Sequence, residues 1–97
     1  MIIEVEFDTF RQYIECENDI CENIVELREE FLEWLYDETI DHQYWNYLDG
    51  IKAGVGFSAD ALVEWFNTVK YSERTTKVVL LDAKFMEPNL VNASIFF

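Results

Sequence analysis

Residues 19–38 read DICENIVELREEFLEWLYDE, and the spacing of two residue classes within that stretch decides the reading of the chain. Ile20, Ile24, Leu27, Phe31 and the pair Trp34/Leu35 recur at three- and four-residue intervals, the apolar stripe of an amphipathic helix. Glu22, Glu26, Glu29, Glu30, Glu33 and Asp37 step by the same intervals between them, which puts them on the opposite face. Asp19 with Glu22 three residues on fits a capping box in which Asp replaces Ser or Thr. The spacing predicts a helix over 19–38 with one buried side and one acidic side.

On the N-terminal side, Ile3, Val5 and Phe7 alternate with Glu4 and Glu6, so residues 1–7 read as a strand with one buried face. Asp8 then reads as the N-cap of a short helix bearing Phe10, Tyr13 and Ile14, broken by Glu17-Asn18-Asp19. On the C-terminal side, Thr39–Leu48 reads as a further helix, capped by Thr39 or Asp41 and left through Gly50. Its apolar side is Ile40, Tyr44, Trp45, Tyr47 and Leu48.

Ile51–Phe57, with Gly54 and Gly56, reads as a connector. Ser58 is expected to cap a helix with Leu62, Trp65, Phe66 and Val69 inward. Thr75–Leu81 is β-branched and apolar and reads as a largely buried strand. Asp82–Asn89 reads as a loop around Pro88, and Leu90–Phe97 as a last strand pairing antiparallel with its predecessor. The expected fold is α+β, order β-α-α-α-α-β-β, a small sheet of about three strands against three to four helices.

Ninety-seven residues, 51% hydrophobic and 16% aromatic, supply one core, so residues 1–97 read as a single domain. No run reaches the roughly 18 apolar residues of a membrane span, and no basic-then-apolar leader opens the chain. The sequence therefore reads as soluble and cytoplasmic. Cys16 and Cys21 alone build neither a disulfide framework nor a four-ligand metal site, and read as core or half-buried thiols.

The net charge is −13, and it is segregated. Residues 1–50 carry 15 Asp/Glu against 2 Arg, whereas residues 51–97 carry 5 Asp/Glu against 5 Lys/Arg. Such a chain repels nucleic acid and anionic membranes, and offers one acidic face to a basic partner. On that helix the carboxylates from 22 to 37 span roughly 22 Å, comparable in charge density to a DNA strand with a phosphate about every 3.4 Å. The like-charge pairs four residues apart each cost roughly 0.2–0.5 kcal/mol, and Arg28 relieves none at that spacing. A helix shaped only for solubility would interleave lysines, so the acidic side reads as a working surface; the bland alternative is a solvated face.

A second candidate surface is aromatic: Tyr44, Trp45, Tyr47 and Phe57 beside Asp41 and Asp49, with Tyr44 and Tyr47 the candidates for exposure and Trp45 for the core. Catalytic chemistry has no positive signal. His42 is the sole histidine, with no evident nucleophile or orienting group. Gly54-Val55-Gly56-Phe57 lacks the rest of a phosphate loop, and the acids lack EF-hand spacing. Asn92-Ala93-Ser94 matches a glycosylation sequon inside an expected strand.

The expectation is a non-enzymatic binding protein without cofactor or metal, whose site residues are Glu22, Glu26, Glu29, Glu30, Glu33, Asp37, Tyr44 and Tyr47. In size and charge the chain resembles the phage and mobile-element counter-defence proteins, including anti-CRISPR and anti-restriction proteins. That resemblance is of type and rests on no shared motif. It implies a basic nucleic-acid-binding partner, a nuclease or a CRISPR or restriction effector, blocked by imitation of phosphate charge. The same physics fits an antitoxin or immunity protein against a basic nuclease, and allosteric inhibition through the aromatic patch is a further alternative. So is a regulatory or assembly subunit that forms a homodimer through an uncovered Leu90–Phe97 edge.

Overall fold

The computed structural model of the chain describes residues 1–97. Ile2–Glu6 forms β1 as expected, with Ile3 and Val5 fully buried and Glu4 and Glu6 on the other side. The expected helix after Asp8 is instead a strand, β2, Arg11–Glu15. The chain reverses over Asp8-Thr9, where the Phe7 N–H donates to the Phe10 carbonyl at 2.8 Å, and β2 returns antiparallel to β1 with Glu6 opposite Arg11. Phe10, Tyr13 and Ile14 imitate helical spacing, but only Ile14 is needed in the core. Partner strands on both sides of β2 supply the backbone hydrogen bonds that decide its conformation.

The long helix is two. Asn18–Glu22 is α1 and Ile24–Leu35 is α2. Asn23 separates them: its backbone leaves helical geometry (φ −111°, ψ 20°) and its Nδ2 donates to the Asp19 carbonyl at 2.8 Å. Asn side chains compete in this way with the helix ladder. The capping box is absent. Glu17 occupies the N-cap position without a side-chain cap, and Asp19 is drawn away to Arg74. Along α2 the expected stripe holds, with Ile24, Leu27, Phe31 and Leu35 buried.

Thr39–Leu48 is not helical. A loop leads to β3, Trp45–Leu48, which pairs antiparallel with β4, Ile51–Val55. Asp49 and Gly50 form the turn with φ of 53° and 79°, the two left-handed residues that a tight hairpin requires. The supposed connector is therefore a strand, and Gly50 closes a hairpin rather than a helix.

The helix after Ser58 forms as α3, Ala59–Trp65, with Leu62, Trp65 and neighbouring Phe66 buried. Ser58 does not cap it; its Oγ donates to Asp60, while Gln12 on β2 accepts the Ala59 N–H at 2.7 Å. The helix widens into a π-helical turn over Phe66–Lys70, closed by the Tyr71 N–H donating to the Phe66 carbonyl at 2.8 Å. Val69, expected inward, lies exposed on that turn.

Of the expected strand 75–81 only Val79–Leu81 joins the sheet, as β5 on an edge and mostly exposed. Its start is delayed because the Asn67 amide pairs with both backbone groups of Val78, at 2.9 Å each. The 82–89 loop contains short 3-10 turns, and the last strand is β6, Ala93–Phe96.

The main sheet has four strands in the order β5-β2-β1-β6, with β6 parallel to β1 and the other pairs antiparallel. β5 and β6 are thus not a hairpin: they run the same way at opposite edges. The architecture is α+β, but with a four-stranded mixed sheet, a separate hairpin and three α-helices, so the expected sheet of about three strands and the element order β-α-α-α-α-β-β are both overturned. Ile3, Val5, Ile14 and Ile95 meet α2 and α3 in one core. Phe31 is its hub, with ring centroids 5.6–6.1 Å from Trp34, Phe57, Trp65 and Phe97. No helix is long and apolar enough to cross a membrane.

Candidate partner-binding surface

The buried stripe of α2 fixes the opposite side of that helix outward, and Glu26, Glu29, Glu30 and Glu33 are all exposed there. These four carboxylates share one helical face of about 10 Å. Glu22 ends α1, beyond the Asn23 break, and Asp37 lies past the helix end. The stripe is therefore a four-residue core with flanking acids, not an unbroken rod of six.

Two of the four are partly neutralised by cations that i,i+4 spacing does not reveal. Arg28 meets its neighbour Glu29 at 2.8 Å while its Nε donates to the Phe96 carbonyl at 2.7 Å. Lys70, delivered by the π-helical turn, meets Glu30 at 2.6 Å. The repulsion along α2 is thus relieved in part, although exposed pairs contribute only about 0–1 kcal/mol each. Glu22, Glu26 and Glu33 join no ion pair. Asp37 accepts from the Thr39 hydroxyl and N–H at 2.7 and 3.0 Å, which holds its carboxyl below the usual value and keeps it ionised.

Between α2 and the π-helical turn runs an open groove of about 410 Å³. Trp34, Ile40, Trp65 and Val69 give it apolar walls, and Glu30, Glu33 and Asp37 stand along it with Lys70. Sequence reasoning missed this groove because its two sides lie some forty positions apart, as the Glu30–Lys70 contact records.

The two tyrosines separate. Tyr44 is buried in the core cluster, its hydroxyl accepting from Gln43 at 3.1 Å, and burial raises its pKa. Tyr47 is exposed on β3. Trp45 is buried, as expected, and its indole N–H donates to the Ile40 carbonyl at 2.7 Å. Beyond this root the hairpin presents Leu48 and Ile51, 67% and 71% exposed, beside Tyr47. Large apolar groups at a strand-turn tip are unusual enough to count as interface candidates. The Asp-Gly turn signal could have found them.

His42 is structural. It lies between Trp34 and Trp45, with centroids at 4.7 and 5.2 Å, and bonds to Leu35 and Tyr44 through its two nitrogens. Cys16 is buried, which pushes its thiol up to about 11, the nearby Cys21 adding to the effect; both cysteines are free. No group of His, Cys, Asp and Glu side chains is placed to hold a metal ion. What the surface offers chemically is charge and apolar contact. No family model, no curated protein and no solved structure matches the chain.

Proposed function

We propose that the protein is a binding inhibitor that acts in the host cytoplasm and covers the nucleic-acid-binding surface of a basic partner. It belongs in this reading with the counter-defence proteins of phages and mobile elements, directed at a nuclease or at a CRISPR or restriction effector. The observation that carries it is the single outward face of Glu26, Glu29, Glu30 and Glu33 on α2. Arginines and lysines that normally hold phosphates would meet carboxylates there, with fast, salt-sensitive association. The role needs no bond-making step, cofactor or metal. An antitoxin for a basic nuclease would use the same contact. The exposed hairpin tip of Tyr47, Leu48 and Ile51 favours, as a second reading, docking outside the nucleic-acid site.

The test compares the protein with a variant carrying Gln at 26, 29, 30 and 33. Tagged forms are used to capture basic nucleic-acid-binding proteins from host lysate at low salt, and the captured protein is assayed for DNA binding. The expected result is capture by the natural sequence that blocks DNA and disappears in the variant and at about 0.5 M salt. Equal capture by a folded variant would end the proposal.

A further inference from the structure

We infer that the groove between α2 and the π-helical turn is an arginine-selective docking notch, in which a partner guanidinium lies against Trp34 and is held by Glu33 and Asp37. The inference rests on the reading of the acidic face given above and adds to it a discriminating contact. Charge alone attracts lysine and arginine alike. A groove with indole and aliphatic walls beside carboxylates does not treat them alike, because the guanidinium is planar, weakly hydrated and forked. It can stack on an aromatic surface while donating to two carboxylates, whereas an ammonium keeps its water and acts as a point charge.

The groove's own charges favour this occupant. Glu30 is already engaged by Lys70 at 2.6 Å, whereas Glu33 lines the same groove without joining an ion pair. Asp37 is held ionised by Thr39 and has lone pairs to spare. Phosphate or an acidic peptide would face three carboxylates across the groove. A second copy of this chain is a poor fit, because six of the seven Lys and Arg are already in ion pairs within the chain. That leaves a foreign, arginine-bearing segment.

Hexa-arginine and hexa-lysine carry equal charge and make the probes. Their binding is measured by calorimetry at low salt against the natural sequence, Trp34→Phe, Trp34→Leu, Glu33→Gln with Asp37→Asn, and the four-Gln variant of α2. Hexa-arginine is expected to bind about tenfold tighter than hexa-lysine. The preference should survive in Trp34→Phe, vanish in Trp34→Leu and shrink in the Glu33/Asp37 variant. If Trp34→Leu fails to fold, the Glu33/Asp37 variant, altered only at exposed positions, carries the test. Equal binding of the two peptides, or a preference indifferent to these changes, overturns the notch. The acidic face would stand if the four-Gln variant then lost both peptides. Binding of neither peptide would remove both ideas.

Discussion

His42 Nε2 lies 2.7 Å from the Leu35 carbonyl oxygen, tying the loop after α2 to the last turn of the helix. The same ring accepts the Tyr44 N–H at Nδ1, 3.2 Å away. A carbonyl cannot donate and an amide N–H cannot accept, so in this arrangement Nε2 is the donor and Nδ1 the acceptor. The stack on Trp45, with planes 3° apart, completes the site. His42→Phe keeps the stacking and adds apolar surface, yet leaves the Leu35 carbonyl and Tyr44 N–H without their partner. It should cost about 1–3 kcal/mol in urea unfolding. A neutral or stabilising outcome would show that the ring acts by packing alone.

The parts of the fold legible in the sequence are those decided within one element. Ile3 and Val5 needed only period two, and Leu62, Trp65 and Phe66 only helical spacing. The two hairpins were obscured because Phe10-Tyr13-Ile14 and Tyr44-Trp45-Leu48 also fit a helical stripe, and aromatic spacing outweighed the local turn chemistry of Asp49-Gly50. That dipeptide is the strongest short-range hairpin signal available and was present to be read. For the candidate surface, the four glutamates of α2 were legible because one helix holds them. Asp37 was misplaced by the helix ending at Leu35, and Lys70 was invisible as Glu30's partner because only tertiary packing brings it there.

Asn67 does for Val78 what a neighbouring strand would do. Its Oδ1 accepts the Val78 N–H and its Nδ2 donates to the Val78 carbonyl, at 2.9 Å each, while the valine side chain is buried. Asn67→Ala leaves both backbone groups unpaired and should destabilise the protein by about 1–3 kcal/mol. Asn67→Asp retains an acceptor for the N–H but sets a carboxylate against the carbonyl, so it should not rescue. Hydrogen exchange separates this from a general loss of stability. Under conditions that keep the protein folded, the Val78 amide should lose protection while the amides of α2 keep theirs.

Arg74 clamps the start of α1 from the far side of the chain, meeting Asp19 at 2.6 and 2.9 Å and Glu17 at 3.2 Å, with its guanidinium 3.9 Å from the centre of the Tyr71 ring. The hydrogen bonds from Arg74 hold the Asp19 carboxyl below its ordinary value of 3.8. A carboxyl whose folded value lies below its unfolded one adds stability above the unfolded value, and that contribution goes as the pH falls through the folded value. The pair should therefore contribute its full amount at neutral pH and begin to fail only below about pH 4. Because the carboxylate is solvent-exposed the contribution is small. Asp19→Asn should lower the melting temperature slightly at pH 7, with the gap to the natural sequence narrowing as the pH falls below about 4. Melting curves of the two proteins across that range decide it: a gap that is constant with pH would mean Asp19 acts through its hydrogen bonds alone, whatever its charge.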